Sequence, residues 1–137
     1  LLNKKARPVS YGMKVSDSST VASRTMIYGG TLIAAFIVYH IMHLTLGTVH
    51  PDFVEGKVFH NISVAFGNVV TTSIYTVAVA LLGLHLYHGV WSLFQTLGLN
   101  NSTYNCHFKM LAKLSGFVIF LGFAAVPLGI YFGFIGR

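Results

Sequence analysis

The chain has 137 residues, of which 54% are hydrophobic and only 9% are charged, and its formal net charge is +6. A soluble domain carries about 25% charged residues, and a chain of this length is too short to bury so much apolar surface in a core of its own. The composition therefore excludes a water-solvated globular domain. It also argues against a nucleic-acid-binding protein, because the positive residues cluster at the ends of apolar segments and do not follow one face.

Three stretches of the sequence contain no Asp, Glu, Lys or Arg, and they run over 25–51, 58–108 and 114–136. About 20 apolar residues cross a hydrocarbon core of about 30 Å as a helix, and three segments are too few to close a barrel. The sequence therefore predicts an all-α membrane protein, a transmembrane helix bundle in which this chain forms a single domain of three helices. In chain order, the predicted elements are an N-terminal arm at 1–23 and helices at about 24–48, 70–98 and 110–135.

The charged residues between the spans predict the orientation. Basic residues precede the first span and lie between the second and the third, whereas the first loop carries Asp52, Glu55 and only Lys57. Loops on the cytoplasmic side of a membrane hold the excess of Lys and Arg. We therefore expect the N-terminal arm and the 98–110 loop in the cytoplasm, with the 49–69 loop and the C-terminus outside.

Four of the seven histidines lie inside predicted spans, as two pairs: His40 with His43, and His85 with His88. An ionisable side chain deep in a bilayer is costly, so a functional role is the default hypothesis. A neutral imidazole can ligate haem iron or another metal, relay protons, or bind a quinone-like head group. It can also simply bond a neighbouring helix. The residues themselves leave these alternatives open.

The estimated depths of His40 and His85 in the membrane indicate whether the two side chains could bind one cofactor. At about 1.5 Å per residue, His40 lies roughly 22 Å along the first span, and His85 lies roughly 18 Å along the second, which runs the opposite way. In a core about 30 Å thick, the two side chains are then roughly 10 Å apart in depth. Two axial ligands of one iron would share a level. The arithmetic therefore favours two separate centres, each with a second ligand from helices outside this sequence.

The residues that follow His85 suit a flat cofactor. Gly89 lies one turn after His85 and Ser92 lies two turns after it, so the helix face next to His85 carries a residue without a side chain and a hydroxyl group. Trp91 is predicted either to lie near the cofactor or to anchor the helix at the membrane interface. Gly98 is predicted to end the second helix.

The third segment contains no histidine and is rich in glycine and alanine. Gly129 and Gly133 stand in a GxxxG spacing that lets another helix approach closely, so we predict a packing helix here. Three further histidines are predicted to be solvated loop residues, namely His50, His60 and His107.

Four strings in the sequence form a distinctive set: KARPV at 5–9, SRTM at 23–26, FIVYHIMH at 36–43 and LHLYHGVWSLFQTLG at 84–98. Together they resemble the dihaem cytochrome b membrane subunit of succinate dehydrogenases and fumarate reductases. The last string is the most specific of the four. The similarity runs from about Ala6 to Leu99 and continues weakly through the third segment.

The resemblance implies five transmembrane helices and two b haems, each held by two histidines, with this sequence supplying the third to fifth helices. By the match, His40 ligates the iron of the distal haem, near the outside, and His85 ligates that of the proximal haem. This chain would thus provide one ligand to each haem. His43 and His88 are expected beside these ligands or in a quinone pocket, and Arg24 either pairs with a haem propionate or anchors the helix start.

The first two helices of that family are missing from this sequence. The opening residues, LLNKK, are typical of the end of an apolar helix that is followed by a basic loop. We therefore expect that the sequence is an incomplete form of the subunit, and the other interpretation is a subunit split between two chains.

The implied function is that of a membrane-anchor and electron-transfer subunit in the bacterial cytoplasmic membrane. Its implied partners are a flavoprotein subunit, an iron–sulfur subunit, membrane lipid and a quinone, expected to be menaquinone. We expect no catalytic residue for succinate chemistry on this chain. Two alternatives remain: a histidine-lined transporter or channel subunit for metal ions or protons, and a haem-free quinone-binding anchor. No span contains the Asp or Glu that transport would require.

Overall fold

The computed structural model describes residues 21–99, 101 and 103–136, and for 21–25 only the backbone. Within these residues the chain is all-helical, and its elements are α1 (Val21–His40), a π-helical turn (Ile41–Thr45), α2 (Val58–Phe66), α3 (Val69–Thr96) and α4 (Asn105–Tyr131). Three helices are long and apolar enough to span a membrane: α1 with its π-helical turn, α3 and α4. The predicted all-α class with three spans is thus confirmed. Residues 1–20 of the predicted arm lie outside the described residues.

Local signals in the sequence fix both ends of α3. At the start, the Asn68 side chain accepts a hydrogen bond of 2.8 Å from the backbone N–H of Val70, as expected of an N-cap asparagine. At the end, Gly98 adopts a positive φ of 71°, which ends the helix without the steric cost of a side chain. The predicted stop at Gly98 is confirmed.

The C-terminal end of α4 corrects one prediction. The helix ends at Tyr131, and Gly133 lies beyond it with a φ of 73°. The chain then turns back, and a Cβ added at Gly129 would lie 2.6 Å from the Ile135 side chain. The prediction that Gly129 and Gly133 form a GxxxG helix face is therefore wrong, because Gly133 caps the helix and Ile135 covers Gly129.

The close approach between helices occurs instead where α3 crosses α4. A Cβ added at Gly83 would lie 2.9 Å from the carbonyl oxygen of Gly116, and one added at Gly116 would lie 2.5 Å from the carbonyl oxygen of Gly83. Both glycines are buried. Only glycine permits the two backbones to come this close, and in a membrane such packing is a main source of helix association.

Replacing Gly116 with leucine should separate α3 from α4. Because the added side chain meets backbone and not a flexible side chain, we expect a loss of stability of about 2 kcal/mol or more. The measurement is the thermal unfolding midpoint of the detergent-purified protein, together with its yield. Gly122→Leu is the matched control on α4, since a Cβ there meets no heavy atom within 4 Å. Equal midpoints for the two variants would contradict the assignment of this crossing.

The first loop is more ordered than the sequence predicts, because it contains α2. The amide of Asn61 on α2 bonds both backbone polar groups of Val54: Nδ2 donates to the Val54 carbonyl at 2.9 Å, and Oδ1 accepts from the Val54 N–H at 2.9 Å. On the other side of α2, the Thr72 hydroxyl donates to the Phe66 carbonyl at 2.9 Å. These bonds attach the 46–57 segment and α2 to the end of the bundle.

Two of the predicted loop histidines lie in helices, and one is not solvated. His60 belongs to α2 and His107 to α4. His50 is in the loop, but it is only 9% exposed. His50 is buried because it bonds the Asn61 carbonyl and contacts the His43 ring, so the prediction of a solvated residue is wrong for His50. For His60 and His107 only the loop assignment is wrong, because α2 lies within the predicted loop and α4 begins at Asn105, before the predicted 110.

Asn61→Ala should release the first loop from α2. Removing the amide leaves the two Val54 backbone groups without their partners, and we expect a loss of about 2 kcal/mol. Thermal unfolding and the rate of proteolysis within 46–57 measure this effect. His60→Ala is the control on the same helix, because its exposed pair with Asp52 at 3.0 Å contributes little. If the two variants are cleaved equally fast, Asn61 does not hold the loop.

Candidate functional site

His40, the last residue of α1, lies exposed on the surface of the bundle. Its ring is 6.0 Å from that of Phe36 on its own helix and 5.8 Å from that of Tyr75 on α3. Beside it is an apolar cavity of about 310 Å³ that also reaches Phe66 and Pro127. An imidazole thus stands at the edge of a concave apolar surface within the membrane-spanning part of the chain.

His43 is buried, although it is three residues from His40. It is 2% exposed, and its Nδ1 lies 3.1 Å from the Tyr75 hydroxyl. Its ring stacks on that of Tyr39, with centroids 5.2 Å apart and planes at 12°, and lies 5.0 Å from the ring of His50. A large ligand that approaches from outside would have to displace these rings to reach His43. Of the first pair, His40 is therefore the accessible imidazole.

The change of helix type accounts for the different surroundings of the two histidines. After His40 the chain widens into a π-helical turn, and the Leu46 N–H donates to the Ile41 carbonyl at 2.9 Å. A π-helical turn shifts the direction of the residues that follow it. The sequence predicts His43 beside the ligand His40 or in a quinone pocket, whereas the structure exposes His40 and buries His43.

His50 closes the cluster from the loop side. The backbone N–H of Asp52 donates to its Nδ1 at 3.1 Å, so this nitrogen is the acceptor. Its Nε2 therefore carries the proton and donates to the Asn61 carbonyl at 2.9 Å. Both nitrogens of this imidazole are satisfied within the chain.

His85, in the middle of α3, faces α1 at Gly30. A Cβ added at Gly30 would lie 3.5 Å from Cε1 and 3.9 Å from Nδ1 of this imidazole. The Nδ1 atom is buried and has no hydrogen-bond partner among the described residues. A cavity of about 220 Å³, lined mainly by apolar residues that include Leu32 and Leu81, adjoins the ring. A buried polar atom of this kind normally has a partner, so the ring is suited to a group from outside the described chain.

His40 and His85 lie at different levels of the bundle. His85 lies beside Gly30, ten residues before His40 in α1, and His40 lies beside Tyr75, ten residues before His85 in α3. Ten helical residues rise about 15 Å. The two imidazoles are therefore about 15 Å apart along the bundle, which is more than the roughly 10 Å estimated from the sequence. They do not lie at a common level.

The other predicted site residues are distributed along α1 and α3. His88 and Ser92 are half-buried on α3, and a Cβ added at Gly89 meets no heavy atom within 4 Å. Trp91 lies under the Lys109 ammonium, which is 5.1 Å from the ring centroid. This contact places the Trp91 ring toward α4, which is consistent with a role as an anchor at the membrane interface. Arg24 lies in α1, and its side chain is outside the described residues.

Two residues of the site could not be recognised from the sequence. Gly30 lies opposite His85, and Tyr75 contacts both His40 and His43. Gly30 belongs to a pair of glycines early in α1, which is at most a weak signal of close packing. Nothing in the sequence marks Tyr75 as a site residue, because its contacts with His40 and His43 depend on how α3 packs against α1.

In comparisons with protein-family models, curated proteins and solved structures, nothing matched the chain.

Proposed function

We propose that this chain is the membrane-anchor and haem b electron-transfer subunit of a succinate:quinone oxidoreductase. It would carry electrons between an iron–sulfur subunit and a membrane quinone, expected to be menaquinone, in the bacterial cytoplasmic membrane. The observation that carries the proposal is the placement of His40 and His85. Two intramembrane imidazoles lie about 15 Å apart in level, and each adjoins an apolar cavity. The resemblance of the sequence supplies the kind of complex.

Haem b fits the residues that surround each imidazole. The buried Nδ1 of His85 lacks a partner among the described residues, and the open space at Gly89 lets a flat group come close to the backbone. His40 offers an exposed ring beside Phe36 and Tyr75. Each iron would take its second ligand from a helix outside the described chain. When bound, the haems supply one-electron redox centres within the membrane.

The chain itself positions these groups and limits their access to water. Gly30 lies opposite the His85 ring and leaves room for about a methyl group between them, while Phe36 and Tyr75 flank the His40 ring. The apolar lining of both cavities excludes water, and burial and ligand identity are the main factors that set a haem potential. His88, Ser92 and Arg24 are proposed to lie beside the cofactors, and the N-terminal arm and the 98–110 loop are proposed to face the cytoplasm.

The geometry supports haem binding better than transport. A histidine-lined path for protons or metal ions needs polar groups that follow one another across the membrane. Between the levels of His40 and His85, α3 presents Ala78, Val79 and Leu82. His43, moreover, is already bonded to Tyr75. The polar groups therefore form two separate clusters with apolar residues between them.

An absorption spectrum of the purified complex tests the proposal. With dithionite as the reductant, we expect a strong Soret band and b-type α bands in the reduced-minus-oxidised difference spectrum. A haem-free quinone anchor and a transporter subunit both predict a spectrum without the Soret and α bands, and that outcome would refute the proposal.

A further inference from the structure

Apart from the cavities beside His40 and His85, an apolar groove lies on the surface between α3 and α4. It has a volume of about 430 Å³, and its walls include Ala80, Leu84 and Tyr87 of α3 and Phe117 and Phe120 of α4. Its floor is the glycine crossing described above. This volume is within the range of small-molecule sites, and the groove opens toward the surroundings of the bundle.

The groove has positive charge at one end. Lys113 lines it, and Lys109, one turn earlier in α4, holds its ammonium 5.1 Å from the centroid of the Trp91 ring. Both lysines are exposed. The sequence contains no Asp or Glu after Glu55, so α3 and α4 provide no carboxylate for either of them. A negative group that pairs with these lysines must come from elsewhere.

The order of charged and apolar groups along the groove matches that of a lipid. Lys109 and Lys113 lie in the first turns of α4, which begins at Asn105, and helical side chains lean toward the N-terminus. The two ammonium groups therefore lean toward the membrane surface. From Lys113 to Phe120 the apolar part extends about 10 Å along the helix, into the hydrocarbon.

We propose that this groove is a binding site for an anionic phospholipid. Its phosphate pairs with Lys109 and Lys113, and one acyl chain lies along the apolar walls toward Phe120. A zwitterionic lipid with the same acyl chains fills the groove equally well but gains less from the two lysines. The site does not depend on the haem assignment, because it uses neither His40 nor His85.

Native mass spectrometry of the delipidated complex tests the proposal, with dioleoylphosphatidylglycerol and dioleoylphosphatidylcholine titrated separately. The unmodified protein should retain phosphatidylglycerol preferentially. The double variant Lys109→Gln with Lys113→Gln should weaken phosphatidylglycerol binding about twenty-five-fold, because each lysine near an anionic lipid contributes about fivefold. Lys57→Gln, an exposed lysine in the first loop, is the control and should keep the preference.

A variant of the groove wall tests the acyl-chain part. Ala80→Leu should weaken the binding of both lipids about tenfold, because it displaces methylene groups from the groove. Size-exclusion profiles identical to those of the unmodified protein verify that the variants fold. Three results would overturn the proposal: an unchanged lipid preference in the double lysine variant, unchanged binding in Ala80→Leu, or displacement of phosphatidylglycerol by inorganic phosphate or a quinone at equal concentration.

Discussion

His85→Ala is expected to remove one of two b-type signals from the reduced-minus-oxidised spectrum of the purified complex and to leave the other. The alanine has no nitrogen to bond iron, and neither His40 nor His43 can replace His85, because they lie about 15 Å or more away along the bundle. Difference spectra recorded during a redox titration measure this effect, since two centres in different surroundings differ in potential.

His88→Ala is the matched control for this experiment. It removes an imidazole from the same helix, less than one turn away, and should leave both signals in place, with at most a shift in one potential. Retention of both signals in His85→Ala would show that His85 is not an iron ligand. Loss of a signal in His88→Ala alone would move the assignment to the second histidine of the pair.

His40→Ala is expected to remove the other signal, while His43→Ala should retain both. The reason is exposure: His40 is on the surface beside an apolar cavity, whereas His43 is 2% exposed and bonded to Tyr75. Removing the buried ring leaves the Tyr75 hydroxyl without this partner and creates a cavity. We therefore expect His43→Ala to lose stability, by about 2 kcal/mol or more.

The two measurements on this pair separate a ligand from a structural residue. Thermal unfolding should show the larger effect for His43→Ala, and the spectrum should show the larger effect for His40→Ala. The reverse pattern would mean that the ring cluster around Tyr75 opens to admit the cofactor and that His43 binds the iron.

The sequence predicted the three spans because the length of an apolar run is a strong physical signal. The short helix α2 was missed because its nine residues are too few to mark a span, although they are amphipathic and bury Asn61, Ala65 and Phe66 on one face. The GxxxG prediction failed because residue spacing does not show where a helix ends. The spacing of Gly129 and Gly133 fits a helix face, but the helix ends before Gly133.

The candidate site was predictable only in part. Histidines inside spans stand out because of their cost in lipid, and the counts along each span place His40 and His85 at different levels. The different surroundings of His40 and His43 were not predictable, because they follow from a π-helical turn that replaces α-helical geometry after His40. Gly30 and Tyr75 belong to the site through contacts between helices, which depend on how α1 and α3 lie against each other.

An electron cryo-microscopy map of the complex purified from its native membrane would show directly whether the two histidines bind haem. We expect two porphyrins, one with its iron bonded to the His40 imidazole and the other with its iron bonded to that of His85, at levels about 15 Å apart. A map of the ordered complex with no porphyrin beside either imidazole, or with both histidines on a single iron, would contradict this expectation.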